Sequence, residues 1–146
     1  MKDSTQPPIY FISLLILTVL TFVIPIKIII KPYNYFGIIL ILFGIIMNLW
    51  TDQLFKKTHT NVKYHKIPNK LIVSGPFKFS RNPMYLGMLA ILLGVAIIIG
   101  NLISFIFPII FIIIINKKHI STEEKNMEKT FGKEYLKYKN KVRRWI

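Results

Sequence analysis

Long, uninterrupted runs of apolar residues restrict what this chain can fold into more than any other feature. The runs cover residues 9–30, 33–54, 83–99 and 102–115. A helix needs about 20 apolar residues to cross the hydrocarbon core of a bilayer, whereas a helix in a soluble domain keeps a polar face. The runs therefore predict an all-α integral membrane protein whose apolar side chains are solvated by lipid.

The overall composition agrees with this interpretation and limits the possible chemistry. Hydrophobic residues make up 53% of the 146 positions, yet 20 Lys and Arg stand against 6 Asp and Glu. The length suits a single domain, residues 1–146, and no segment recurs at a fixed period. Because the sequence has no cysteine, disulfides, thiol nucleophiles and cysteine-based metal sites are excluded, and we expect no metal.

The last apolar stretch is divided by Gly100 and Asn101, which are typical turn residues. Residues 83–99 and 102–115 would form helices of about 25 Å and about 21 Å. We therefore expect them to form a tight helical hairpin, which gives about four transmembrane helices in total.

The basic residues lie between and after these helices, in a loop at residues 55–82 and a tail at residues 116–146. Loops rich in Lys and Arg remain in the cytoplasm, so four spans place the loop, the tail and the N-terminus on that side. Each of these charges is worth about 1 kcal/mol near anionic lipid. Because no nucleic-acid-binding motif accompanies them, the expected partner is the lipid bilayer, and the sequence does not indicate an oligomeric state.

The polar tail contains the pattern of an amphipathic helix. Ser121 and Glu124 have the spacing of a capping box, in which Ser121 would cap the helix and Glu124 would bond back to it. Met127, Phe131 and Tyr135 follow at four-residue spacing, which predicts one apolar face. A cytoplasmic helix is therefore expected to begin at Ser121.

Two polar segments differ from ordinary loops: LIVSGPFKFSRNPMYLG at residues 71–87, and Glu123-Glu124 in the tail. The first contains a Gly75-Pro76 turn and places Pro83 where a helix would begin. The start of a helix carries unpaired N–H groups and a positive partial charge, which suit a ligand carboxylate.

The two segments, in this order and separated by an apolar hairpin, resemble the isoprenylcysteine carboxyl methyltransferase and phospholipid methyltransferase group of integral membrane enzymes over about residues 60–138. The resemblance implies S-adenosyl-L-methionine as the cofactor. It also implies a lipophilic or lipidated acceptor within the membrane, with either a carboxylate or an amine as the methylated group. The cofactor-binding residues carried over by position are Leu71, Ile72, Phe77, Asn82, Pro83, Met84, Tyr85 and Glu123, with Asn69 and Lys70 extending the patch.

Chemical roles follow for some of these positions. Phe77 offers an apolar face for adenine, and Asn82 with the start of the helix at Pro83 offers donors to the methionine carboxylate. Glu123 can accept hydrogen bonds from the ribose hydroxyls or the amino group. Glu124 and His119 are the nearby candidates for a catalytic base, which an amine acceptor needs and a carboxylate does not.

The sequence departs from the pattern of prenylcysteine enzymes at two positions. Asn82 stands where those enzymes have His, and His119 stands where they have an Arg that is a candidate partner of the substrate carboxylate. A neutral imidazole pairs less well with a carboxylate than a guanidinium does, so a prenylcysteine acceptor is disfavoured.

Less specific interpretations remain open at this stage. Arg81 and Tyr85 could be interfacial anchors, and an isolated histidine among lysines, such as His119, is expected to be solvated. The competing function is that of a non-catalytic small membrane scaffold, or of a family member that binds the cofactor without turnover.

Overall fold

The computed structural model describes residues 6–28, 31–58 and 70–146, and Asn69 lies outside these ranges. Within them the chain folds into helices, and its β-structure is limited to one isolated bridge. The main helices are α1 (Pro7–Leu20), α2 (Phe36–Lys57), α3 (Pro83–Ile99), α4 (Ile106–Ile114) and α5 (Ser121–Lys141). The all-helical prediction is confirmed for this part of the chain.

Two helical segments, Tyr33–Lys57 and Leu102–Lys141, are long and apolar enough to cross a membrane. Only 17% of the apolar window in the first of them is buried inside the protein, so most of its side chains face outward. The other two apolar helices, Pro7–Val23 and Pro83–Ile99, are shorter. The first helix ends at Val23 rather than near residue 30, as the sequence predicted, because Pro25 has no backbone N–H with which to continue it. A membrane crossing takes about 20 residues, so the count of four spans stays a prediction.

The turn predicted at Gly100 and Asn101 is present. Gly100 closes α3 with a φ of 69°, in the left-handed region that favours glycine. The buried amide of Asn101 donates hydrogen bonds to the carbonyls of Thr21, at 3.1 Å, and Ile24, at 2.9 Å. The end of α1 is therefore fixed against the turn of the hairpin.

Helices α2 and α3 pack with their backbones in close contact. A Cβ atom at Gly44 would lie 2.4 Å from the carbonyl oxygen of Gly87, and one at Gly37 would lie 2.3 Å from that of Gly94. Only hydrogen fits at such distances, which explains glycine at seven-residue spacing on both helices. This packing sets the C-terminal half of α2 beside the start of α3.

The expected capping box at Ser121 is wrong. The chain passes from α4 into α5 through a π-helical segment, Ile115–Ile120, and Ser121 has ordinary helical φ and ψ angles of −61° and −35°. Its hydroxyl donates to the carbonyl of Asn116 at 2.7 Å instead of capping a helix start. Because the preceding residues are already helical, the N–H groups that a cap would satisfy have backbone partners.

The amphipathic face of α5 is present and covers one end of the helices. Met127 and Phe131 pack around a buried cluster of Leu71, Tyr135 and Tyr138. Gly132, with a φ of 48°, interrupts the regular helix there. The end of α5 thereby reaches the segment that precedes α3.

Candidate functional site

The two polar segments singled out in the sequence meet at this end of the molecule. The hydroxyl of Tyr85 donates a 2.7 Å hydrogen bond to Oε1 of Glu123, which lies 38 residues further along the chain. One residue on, Oε1 of Glu124 lies 3.2 Å from Nη1 of Arg81. Pro83 is the first residue of α3, as the sequence predicted, and aims the start of that helix at the same region.

The carboxylate of Glu124 is held between two guanidinium groups. Besides the contact with Arg81, it accepts hydrogen bonds from Arg144, at 3.2 Å to Nε and 2.6 Å to Nη2. The Glu124 side chain is only 7% exposed, and a buried carboxylate is tolerated only when it is paired and hydrogen-bonded. Hydrogen bonding to Glu124 also raises the pKa of Arg144, so that guanidinium remains charged.

Arg81 keeps donor capacity in this arrangement. Its side chain is 9% exposed, and its Nε and Nη1 atoms are buried without a hydrogen bond among the described residues. Nη1 lies near Glu124, but the contact lacks hydrogen-bond geometry. Burying a donor such as Nε unsatisfied costs about 1 to 3 kcal/mol, and an anion placed there would remove that cost.

Asn82 lies between Arg81 and the start of α3. Its side chain makes no capping bond to that helix among the described residues; instead it donates a 3.0 Å hydrogen bond to the carbonyl of Arg144. An amide nitrogen carries two N–H groups, so Asn82 has a second donor for a ligand.

Phe77, predicted to face adenine, forms one wall of this region. Its ring packs edge to face against Phe55 with the ring centres 5.6 Å apart, and its carbonyl accepts a 2.8 Å hydrogen bond from the hydroxyl of Tyr138. Tyr138 belongs to the polar tail, where burial raises the pKa of its phenol and keeps the donor protonated.

The remaining predicted cofactor residues differ in exposure. Leu71 and Ile72 are buried, Met84 is half-buried in the first turn of α3, and Lys70 is exposed. Leu71 packs directly beneath Tyr135 and Tyr138 of α5. The predicted patch is therefore apolar where α5 covers it and polar where α3 begins.

His119 is buried rather than solvated, so that expectation is wrong. It lies in the π-helical segment, one turn before Glu123, and is 9% exposed. Its ring packs edge to face against Tyr10 of α1, with the ring centres 5.8 Å apart. Helix α1 excludes water from this position, which the local run of lysines could not reveal.

The sequence pattern does not single out Arg144 or Tyr10 as site residues. Arg144 belongs to the basic tail, whose charges predict a lipid-surface patch, and Tyr10 is embedded in an apolar run. Neither has a local signal that distinguishes it, because each reaches the site through packing between distant parts of the chain.

The sequence profile of a family described as phospholipid methyltransferase matches residues 33–134. An uncharacterized protein of Haemophilus influenzae is 48% identical over 63 residues, which are 43% of this chain and the whole of that relative. No solved structure matches the chain.

Proposed function

The chain belongs to the phospholipid methyltransferase family, and on that premise we propose that it transfers a methyl group from S-adenosylmethionine to a lipophilic acceptor in the membrane. The observation that carries the proposal is the meeting of the two polar segments, through the contacts of Tyr85 with Glu123 and of Arg81 with Glu124. Residues that are far apart in sequence there combine into a set of donors, acceptors and apolar surface of the kind this cofactor requires.

The residues present fit the cofactor. The buried donors of Arg81, the second N–H of Asn82 and the start of α3 would hold the methionine carboxylate. Glu123 would accept hydrogen bonds from the amino group or the ribose hydroxyls. Phe77 and the buried Leu71 supply apolar surface for the adenine ring.

When bound, S-adenosylmethionine would supply a methyl group attached to a positively charged sulfur. The acceptor oxygen or nitrogen would bond to the methyl carbon as the carbon–sulfur bond breaks, with its electron pair remaining on sulfur. The protein's part is to align the acceptor with that bond and to exclude water, and both effects accelerate the displacement. Buried side chains such as Tyr85 and Leu71 suit a water-poor site.

The acceptor decides whether a base is needed. A carboxylate is already a nucleophile, whereas a protonated amine must first lose a proton. Both oxygens of Glu124 are engaged by guanidinium groups, so Glu124 could accept a proton only if one of these pairs opened. The buried imidazole of His119 is therefore the better candidate base, and Glu124 is better suited to positioning.

We place this end of the molecule in the cytoplasm, with the polypeptide crossing the membrane four times. Tyr10 near the start of α1, Phe55 near the end of α2 and the start of α3 all lie there with the tail. Chain segments on the same side of a membrane are separated by an even number of crossings, so this common end agrees with four spans. Its basic residues favour the cytoplasmic side.

Two measurements test the proposal. Calorimetric titration of the detergent-solubilised protein with S-adenosylmethionine separates a cofactor-binding protein from a scaffold. A radiolabelled-methyl assay on native membranes then separates an active enzyme from a family member without turnover, and alkaline release of the label distinguishes esters from methylated amines. Absence of cofactor binding by the folded protein would overturn the proposed function.

A further inference from the structure

We propose that Arg144 is a positioning residue for the methyl-donor site, and that the C-terminal segment which carries it completes that site. This segment, residues 142–146, follows α5 and is called the C-terminal strap. The proposal rests on the function proposed above. The strap lies outside residues 33–134, which the family profile matches, so its role follows from the structure of this chain.

The backbone of the strap is bonded to the segment that precedes α3. The N–H of Arg81 donates to the carbonyl of Arg143 at 3.1 Å. The carbonyl of Arg144 accepts hydrogen bonds from the hydroxyl of Ser80, at 3.3 Å, and the side chain of Asn82, at 3.0 Å. Three consecutive residues of the polar segment are thus held by two consecutive residues of the strap.

Apolar contacts fix both ends of the strap. Val142 packs against the cluster that contains Leu71 and Tyr138. Trp145 packs against the core cluster that contains Leu14 and Tyr85. Because the residues on either side of it are anchored, Arg144 is held in place opposite Glu124.

The side chain of Arg144 provides most of the hydrogen bonds to the Glu124 carboxylate. Arg144 donates to both oxygens of that carboxylate, whereas Arg81 makes one ion pair with it, and Nε and Nη1 of Arg81 are buried with no hydrogen bond to a residue that the structure describes. If Arg144 were absent, Arg81 would be the remaining partner of a buried carboxylate and would be drawn fully onto it. Arg144 therefore leaves Nε and Nη1 of Arg81 with donor capacity for the cofactor's carboxylate.

This mechanism is tested by the affinity for S-adenosylmethionine, measured by calorimetry on the full-length protein in detergent. Arg144→Gln should weaken binding by about tenfold, the lower end of the range known for groups that orient the ligands of a metal site, which act in a comparable way. Arg144→Lys keeps the charge but not the paired hydrogen bonds, so its affinity for S-adenosylmethionine should lie between that of the unmodified protein and that of Arg144→Gln. Lys141→Gln removes a positive charge from an exposed residue just before the strap and should bind as the unmodified protein does.

Repeating the Arg144 substitution in a Glu124→Gln protein distinguishes a positioning role from a general loss of stability. In a Glu124→Gln protein the carboxylate that Arg144 engages is gone, so adding Arg144→Gln should produce little further loss of affinity. If Arg144 were needed only for stability, Arg144→Gln would lower the cofactor affinity by the same factor whether or not Glu124 is replaced. Thermal midpoints of all variants show which of them are folded, and Arg144→Lys replaces Arg144→Gln in the comparison if the latter does not fold.

The outcomes separate the two proposals. If the unmodified protein does not bind the cofactor, the proposed function fails and the role of Arg144 fails with it. If it binds the cofactor and folded Arg144→Gln binds equally well, or if Lys141→Gln loses as much affinity, only the role of Arg144 is overturned.

Discussion

Tyr85, in the first turn of α3, donates a 2.7 Å hydrogen bond to Glu123, in the first turn of α5. The tyrosine is 7% exposed, so this bond forms in a region with little competing water. It joins the first helix of the hairpin to the tail helix that follows the hairpin, and it orients the Glu123 carboxylate.

We predict that Glu123→Ala weakens S-adenosylmethionine binding by about 1.5 to 3 kcal/mol, the range for a hydrogen bond to a charged group. Tyr85→Phe should cost about 1 kcal/mol, because it removes an orienting bond and leaves the carboxylate in place. Calorimetry on detergent-solubilised protein measures both values. Glu134→Gln, which alters an exposed acid on the same helix, is the control, and an equal loss there would contradict a direct role for Glu123.

Glu124 should affect stability more than a helix cap would. Glu124→Gln leaves the guanidinium groups of Arg81 and Arg144 without their buried counter-charge, and we expect a loss of about 3 kcal/mol in the free energy of unfolding. The matched change is Glu128→Gln, whose partner Lys139 is 36% exposed; there the loss should be below about 1 kcal/mol. Thermal unfolding in detergent compares the two, and equal losses would show that the Glu124 pairs contribute no more than a surface contact.

Features that depend on neighbouring residues could be predicted from the sequence. The apolar runs locate the helices, although the first run extends beyond the end of its helix at Val23; Gly100 and Asn101 locate the hairpin turn, and Pro83 locates the start of α3. Each depends on solvation or on local backbone preference. The capping box at Ser121 failed for a related reason, because a local pattern does not reveal whether the residues before it are already helical.

Features that depend on contacts between residues far apart in the sequence could not be predicted. Arg144 reaches Glu124 across 20 residues, along a helix that Gly132 interrupts with a positive φ. The burial of His119 depends on Tyr10, at the other end of the sequence. Charge and spacing alone could not distinguish these residues from the surrounding surface lysines.

The close packing of α2 on α3 gives a further test of the fold. Gly44→Ala would place a methyl group 2.4 Å from the carbonyl of Gly87, and forcing the helices apart should cost about 1 to 3 kcal/mol or more. Ile46→Ala, at a residue that is 60% exposed on the same helix, should change stability by about 0.5 kcal/mol or less. Thermal midpoints in detergent measure both, and unchanged stability in Gly44→Ala would rule out this helix contact.

The topology can be tested directly because the sequence contains no cysteine. Single cysteines at Lys70 and Lys137 should react with a membrane-impermeant reagent only after the cells are opened, since both positions belong to the basic end that we propose to be cytoplasmic. A cysteine at Lys27, which is bonded to the hairpin turn at the opposite end, should react in intact cells. Labelling of Lys70→Cys in intact cells would refute the cytoplasmic placement of this end, and labelling of Lys27→Cys on the same side as Lys70→Cys would refute the four-span arrangement.

The last prediction concerns the acceptor, which we expect to be a lipid-embedded molecule other than a prenylated cysteine. His119 stands where prenylcysteine enzymes have a candidate arginine partner for the substrate carboxylate, and the structure buries it against Tyr10. An imidazole lacks the fixed charge and the paired donors with which a guanidinium anchors a carboxylate, so the unmodified protein should methylate a farnesylated cysteine analogue slowly. His119→Arg should raise that activity, since a guanidinium can both pair with the carboxylate and stack on the neighbouring aromatic ring. His119→Gln, which adds no charge, should not raise it.

Methyl transfer to the farnesylated cysteine analogue in liposomes measures the activity of the unmodified protein and of both variants. Turnover by the unmodified protein on the order of 1 per second or faster would restore prenylcysteine as the substrate.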